Sequence, residues 1–355
     1  MRIGFDASPL VRPHPPGVVR AVAGALAALE RAPGLTALRL APAPGENLRL
    51  WRQVRLATLV RERELLGVHS FLSAFPLAGT GRRVQTVHEL PWLHGVGENA
   101  GLTHRFWARV ASLRADRVVC ASEFVARELD RGALAGRVRV CPWGVDAARF
   151  SRTPEEQARR ALDELLGLAP DGRPGPIVVA PGAVRAKKNL RVLLEALAAA
   201  RGSPEEQVRL VVTGPVGGEA RSDQRLAGQL GVEAQVRWVG ELDEAVLVAL
   251  YHASAAAALL SRSEGFGLPV LEAFAAGRPV IVAEQGSAAE VGDVAGGLAV
   301  GVDPSSPAAV LAGLRRALSA EEHSAERAAR RLARAQAFSW ERCAGRIAEV
   351  WRELL

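Results

Sequence analysis

Short apolar blocks alternate with polar stretches along this chain, and their spacing switches repeatedly between strand-like and helix-like. Arg2-Ile3-Gly4-Phe5-Asp6 reads as a first strand, followed by a proline-rich loop from Pro9 to Gly17 and a helix over 18–30. Further strands are expected at 37–40, 84–87, 117–120 and 138–140, and helices near 48–66, 103–115 and 122–131, with Ser122 as an N-cap. Pro142-Trp143-Gly144-Val145-Asp146 breaks the pattern. Beyond it, 153–166 is helical and 171–176 (Asp-Gly-Arg-Pro-Gly-Pro) is a loop. A second series then runs strand 177–180, helix 190–201, strand 209–213, helix 224–230, strand 236–239 and helix 243–252. It continues with an apolar run over 253–260, a Gly-rich turn, a helix over 270–276, a strand at 280–282, and helical regions over 307–337 and 340–355. Two alternating β/α series predict an α/β fold with two Rossmann-like lobes and a cleft between them. The predicted domains are 1–148 and 149–339.

The turn at Ser261–Glu272, reading SRSEGFGLPVLE, carries the most chemistry. Glu264 and Glu272 flank Gly265-Phe266-Gly267-Leu268-Pro269, and Pro269 suits the first position of a helix, where its missing N–H costs nothing. Gly265 and Gly267 allow a ligand to approach the backbone closely, and the amides and dipole of a new helix favour an anion such as phosphate. Helical side chains lean toward the N-terminus, so Glu272 can reach back to the same ligand and accept from sugar hydroxyls. The competing reading makes Glu264 a solvated loop residue and Glu272 a solvated helix residue.

Composition narrows the function. At 355 residues and 49% hydrophobic, the chain is long enough for two cores. No apolar stretch is long enough to span a bilayer and no leader is evident, so a cytoplasmic location is expected. Cys120, Cys141 and Cys343 lack metal-ligand spacing and suggest a reducing compartment; no His or acidic cluster marks a metal site. The net charge of +7 admits nucleic acid, anionic membrane or a phosphorylated ligand. The arginines are dispersed among acids, as in Arg61-Glu62-Arg63-Glu64, with no aromatic-basic interleaving, which argues against nucleic acid. Lysine is nearly absent: Lys187 and Lys188 are the only two, and they precede Asn189, one of three asparagines. In a chain that avoids both residue types, this cluster suggests a local need for a compact ammonium that binds phosphate as a point charge.

At this point the chain resembles the family-4 retaining glycosyltransferases of GT-B fold, over nearly its whole length. The resemblance rests on the E-x7-E signature from Glu264 to Glu272 and on Pro181-Gly182-Ala183-Val184-Arg185-Ala186-Lys187-Lys188-Asn189, similar to the family's phosphate-binding stretch. It rests also on Val236-Arg237-Trp238-Val239-Gly240, VHELP at Val87–Pro91, ADRVVCASEF, CPWGVD and FSWERCA, seven motifs in the family's order. The resemblance implies a donor-binding C-terminal lobe and a closing helix at about 340–355 that crosses back to the first. It implies that Lys188, with Lys187 and Arg185, holds the diphosphate, that Gly182 lies in that phosphate loop, and that Glu272 accepts from the ribose. Val236 begins the stretch that holds the base. Glu264 and the amides of Gly265, Phe266, Gly267 and Leu268 frame the sugar and distal phosphate, His88 lies near the transferred sugar, and Gly17 allows close approach to the phosphates.

Such enzymes use no bound metal and no cofactor beyond the nucleotide-sugar substrate, because lysine and helix dipole take the metal's electrostatic role. The expected donor is a UDP- or GDP-sugar, with a lean toward GDP-mannose. The acceptor is expected to be a glycan, a lipid-linked glycan or a small molecule; Arg105, Arg109 and Arg114 fit a solvated helix face first and peripheral contact with anionic membrane second. Glu89 and Trp143 depart from the family's usual Asp and Asn. Two other functions fit the same fold: a catalytically weak sugar-nucleotide-binding protein and a UDP-sugar epimerase. His88 also fits a satisfied core histidine at a strand end.

Overall fold

The computed structural model describes residues 1–98, 100–130, 134–167, 175–215 and 218–355, the side chains of 218 and 219 excepted. Residues 171–174 of the expected loop lie outside this set. The chain divides into two compact units: residues 1–144 with 264–266 and 338–355, and residues 145–263 with 267–337.

Each unit is built on a six-stranded, wholly parallel sheet. In the first, strands β1 (Arg2–Asp6), β2 (Thr36–Leu40), β3 (Gly67–Ser70), β4 (Arg82–Thr86), β5 (Arg117–Cys120) and β6 (Val138–Val140) lie in the order β2-β1-β3-β4-β5-β6. In the second, β7 (Ile177–Ala180), β8 (Arg209–Thr213), β9 (Val236–Gly240), β10 (Ala256–Leu259), β11 (Val280–Ala283) and β12 (Val300–Val302) lie in the order β12-β11-β10-β7-β8-β9. In each sheet the chain grows toward one edge, then returns to the starting strand and grows toward the other; the start is β1, next to the edge strand β2, in the first sheet and β7, in the middle, in the second. The reversal falls between β1 and β3 in the first unit and between β7 and β10 in the second. Crevices open at such reversals, beyond the carboxyl ends of the strands.

Parallel strands buried on both faces need continuous apolar runs, and β7, β10 and β11 have them. The second core gathers Val178, Leu210, Ala256 and Ile281 from the sheet with Leu193 and Leu197 from the helix Leu190–Ala199 and Leu314 from the helix Pro307–Ala317.

Several elements differ from the sequence expectation. Strand β3 is absent from the expected set, because Val68 is its only large apolar residue; it is nonetheless fully buried, with His69 Nε2 and Thr86 Oγ1 2.9 Å apart. Strand β12 is absent from it too, being three residues with Gly301 at its centre. The first helix starts at Pro16, two residues before the expected start. The helices expected at 48–66 and 103–115 are not uniform: each widens to a π-turn, over Trp51–Arg55 and Phe106–Val110. The first of these segments stops at Glu62, and the second tightens to a 3₁₀ turn over Ala111–Arg114. The helix after Ser122 ends at Leu129. The region 307–337 is two helices, Pro307–Ala317 and Ala325–Gln336. Ser324 caps the second, and between them Glu322 turns inward to a buried ion pair with Arg331 and bonds Arg327.

Candidate functional site

In the second unit the reversal between β7 and β10 opens a pocket lined by Ala180–Val184, Lys188–Leu190 and Ala258–Ser261, with Leu193 and Val212 beneath. The loop after β7 forms one wall. Gly182 takes φ +103°, and a Cβ there would stand 3.4 Å from Lys188 Nζ, so the ammonium lies over a bare backbone. Gly182 N–H donates to Thr213 Oγ1 at 3.2 Å, which ties the loop to the end of β8. A single turn, Ala186–Lys188, folds the chain back, and Asn189, at φ 55°, passes it into the helix Leu190–Ala199. Asn189 Nδ2 donates to Pro304 O at 2.7 Å. The asparagine therefore answers a backbone need, since Asn tolerates the left-handed region, while the lysines divide their work. Lys187 is buried, with its carbonyl accepting from Arg262 N at 2.8 Å, and half-buried Lys188 reaches the pocket. Arg185 is half-buried just before this turn, and its carbonyl accepts from Lys188 N.

The other wall follows β10. Gly267, at φ +109°, starts the helix Leu268–Ala275, whose first turn contains Pro269 and has no side-chain cap on its amides. Glu272 lies one turn in and is only 4% exposed, which rules out the solvated-helix reading. Its Oε2 accepts from Tyr251 Oη at 2.9 Å. Tyr251 is the only tyrosine in the chain, is fully buried, and comes from the helix Glu244–Ala253. A hydroxyl-bearing aromatic within an otherwise apolar stretch (Ala245 to Tyr251) is the available sequence signal for it.

One expectation is corrected here. Val236 sits at the amino end of β9 and its side chain belongs to the hydrophobic core, so it does not line a ligand site; the carboxyl end of the strand, Trp238–Gly240, is the end that points toward the pocket side of the sheet. Phe266 is also buried, its ring meeting Phe338 edge-on at 5.7 Å, which leaves only its backbone for a ligand.

In the first unit, His88 follows β4. Its Nε2–H donates to Phe71 O at 2.7 Å, and its ring lies 5.9 Å from that of buried Trp143. Residues 264–266 pack in this unit: Ser122 Oγ donates to Gly265 O at 3.1 Å, and a side chain on Gly265 would overlap the carbonyl of His88. Ser122 also caps its own helix by accepting from Val125 N at 3.3 Å. Glu264 is half-buried beside this turn. Gly17 lies in the first turn of the helix Pro16–Leu29, not in the preceding loop; it is exposed, and a Cβ there would meet nothing within 4 Å. Among the described residues, no group of three or more His, Cys, Asp or Glu is placed to hold a metal ion.

Residues 10–149 match the family described as Glycosyltransferase Family 4, and residues 172–334 match Glycosyl transferases group 1. The chain is 35% identical over 252 residues to D-inositol 3-phosphate glycosyltransferase 2 of Catenulispora acidiphila, covering 67% of this chain and 56% of that protein. It is 34% identical over 289 residues to D-inositol 3-phosphate glycosyltransferase of Saccharomonospora viridis, covering 77% and 64%. The chain thus spans just over half the length of the first of these curated relatives. Among solved structures, sucrose-phosphate synthase from Thermosynechococcus elongatus superposes with a TM-score of 0.78 at 21% identity, covering 100% of this chain and 99% of the other. Anabaena Alr3699/HepE in complex with UDP-glucose gives 0.76 at 18% identity, covering 99% and 100%. At these identities the likeness establishes the fold.

Proposed function

Because the chain belongs to the family-4 glycosyltransferases of GT-B fold, we propose that it transfers a sugar from a nucleoside-diphosphate donor to a hydroxyl-bearing acceptor. The observation that carries this reading is the pocket at the β7–β10 reversal, with Lys188 Nζ held over Gly182. An ammonium fixed over a bare backbone suits a diphosphate whose charge grows as the bond to the sugar breaks. In this reading Lys188, with Arg185 beside it, neutralises the leaving diphosphate, and the amides at Gly267 and Leu268 take the distal phosphate. Glu272, positioned by Tyr251, accepts from the ribose. His88 and Glu264 are assigned the handling of the transferred sugar, and transfer proceeds with retention and without a divalent ion.

The Anabaena protein's complex with UDP-glucose supports a nucleotide-sugar donor and puts UDP-sugars ahead of GDP-mannose as candidates. The names of the curated relatives support a phosphorylated polyol among the small-molecule acceptors, alongside glycan and lipid-linked ones. The test is incubation with a panel of UDP- and GDP-sugars, with and without acceptors, reading free nucleoside diphosphate and the anomeric configuration of the product. Nucleotide released only with a matching acceptor supports transfer. Tight binding without release supports a non-catalytic role, and interconversion of the donor sugar alone supports an epimerase.

A further inference from the structure

The carboxyl ends of β1 and β3, where the first sheet reverses, hold a buried charged cluster that the pocket in the second unit does not involve. Asp6, the last residue of β1, is fully buried. Its Oδ1 accepts from Ser8 N at 2.9 Å, and its Oδ2 accepts from Arg52 Nε and from Ser70 Oγ, each at 3.3 Å. Arg52 Nη2 donates to Ser8 Oγ at 2.9 Å. Ser70 closes β3, so the cluster straddles the reversal. Arg52 is fixed by its own π-turn. Trp51 beside it is buried, and Gln53 ties the turn to the loop after β3, donating to Phe75 O at 2.8 Å and accepting from Leu77 N at 3.2 Å. The guanidinium is thus held in place with its side chain 12% exposed, and its Nη1 has no hydrogen-bond partner among the described residues.

The proline-rich loop after β1 adds two half-buried side chains, Arg12 and His14. Arg12 Nη2 donates to Ala43 O at 2.9 Å and to Glu46 O at 3.0 Å, carbonyls that fix the guanidinium without neutralising it. The Glu46 carboxylate instead accepts from Ala43 N at 3.0 Å. His14 Nε2 is buried and has no hydrogen-bond partner among the described residues. Desolvation, then the Arg52 charge, lower the His14 pKa from 6.5 against the opposing pull of Asp6, so the ring is mainly neutral at pH 7. Asp6 is enclosed and both its oxygens are occupied, so it orients Arg52 and does not meet a ligand. What remains for a ligand is a set of donors: one edge of Arg52, the charge of Arg12 and a buried imidazole nitrogen. A buried nitrogen without a partner is costly. Guanidinium groups match the paired oxygens of phosphate and carboxylate. A neutral hydroxyl would satisfy His14 but leave the arginine charge unanswered.

We propose that the crevice at the β1–β3 reversal is a subsite for an oxyanion carried by the sugar acceptor, a phosphate or a carboxylate, met by Arg52, Arg12 and His14. Calling the ligand an acceptor rests on the proposed transfer reaction; the oxyanion site stands without it. The test is NMR of the histidine rings of the full chain, titrated at constant pH and ionic strength with inorganic phosphate, with acetate and with chloride. The His14 resonance is assigned by its loss in His14→Ala, and it reads this crevice separately from the Lys188 pocket, whose lining contains no histidine. A saturable His14 shift with phosphate or acetate and none with chloride is expected, and the tighter of the two names the group. Arg12→Gln should weaken binding about 10-fold, and Arg52→Lys, which keeps a cation beside Asp6 but loses the fork, roughly 5-fold or more. Neither leaves Asp6 without a cation, so thermal melting should match the parent. With a donor in hand, Arg12→Gln should raise KM for a charged acceptor about 10-fold and leave KM for the donor alone. A His14 resonance indifferent to both oxyanions, an equal response to chloride, or affinity unchanged in both arginine variants overturns the subsite, even where transfer is observed. A responsive His14 in a chain that transfers no sugar supports the oxyanion site and removes the transfer reading. Equal turnover of charged and neutral acceptors overturns the acceptor's part in it.

Discussion

Replacing Tyr251 by Phe isolates one hydrogen bond at the proposed ribose carboxylate. The ring of Tyr251 packs edge-on to Phe150 with centroids 5.8 Å apart, and Phe preserves that contact and the volume. What disappears is the Oη–H donated to Glu272 Oε2 at 2.9 Å, between two buried side chains. A hydrogen bond to a charged group contributes about 1.5–3 kcal/mol. Read as stability, that is a fall of roughly 3–12 °C in the melting of the second unit, given a few degrees per kcal/mol at this size. Read as binding, it sets a ceiling of roughly 10- to 150-fold on the loss of nucleotide affinity, reached only if the carboxylate loses its position altogether. The assay is titration calorimetry with the nucleoside diphosphate that the protein binds and with its 2′,3′-dideoxy analogue. If Tyr251 acts through a Glu272–ribose contact, Tyr251→Phe weakens the ribonucleotide and leaves the dideoxy compound nearly untouched. An equal loss for both would mean that Tyr251 merely supports the unit. If Glu272→Gln leaves ribonucleotide affinity intact, the ribose role itself is wrong, whatever the tyrosine does.

Lys188→Ala should lower transfer about 100- to 1000-fold with little change in melting, because it removes a fixed positive group facing charge that develops in the transition state; near-parent turnover would take Lys188 out of the chemistry. Initial rates under EDTA should match those without it, since the phosphates are assigned to Lys188 and helix amides; a collapse restored stoichiometrically by a divalent ion would refute that assignment. His69 is fully buried and desolvation pushes its pKa down from 6.5 to about 3, so the folded ring stays neutral while the unfolded chain takes up a proton below pH 6.5. Stability should therefore fall as pH drops from 6.5 toward 3, by about 2 kcal/mol at pH 5 from this group alone. His69→Gln should flatten that part of the melting-versus-pH curve, and parallel curves for parent and variant would count against it.

The E-x7-E turn, the lysine pair and the β/α alternation are legible in the sequence because each has a local signature: Gly-Pro punctuation, a rare residue type, a continuous apolar run. Strand β3 is not, because its burial comes from neighbouring strands and from the His69–Thr86 contact, not from its own hydrophobicity. The inward turn of Glu322 is hidden for a related reason. Its partners Arg327 and Arg331 look like ordinary members of an arginine-rich, solvated helix until the fold buries one of them completely. Val236 shows the reverse error. Membership of a motif-bearing strand does not amount to contact with a ligand, and strand direction puts this residue at the wrong end. Asn189 groups with the lysines by rarity, yet its place is set by backbone conformation.

The assignment of residues 338–355 to the first unit has a consequence for synthesis. Cys343, Ile347 and Trp351 of the helix Trp340–Arg352 are buried in that unit, and the helix packs on Pro16–Leu29, near the start of the chain. On the ribosome, the first sheet is complete by residue 140, but the chain must be extended to residue 352 before its closing helix is whole. At ordinary elongation rates that is an interval on the order of 10–40 s. During it the half of the protein made first has an open core, while the half made second can finish folding before it. The nascent chain thus matures out of order, its early half waiting for the last segment made.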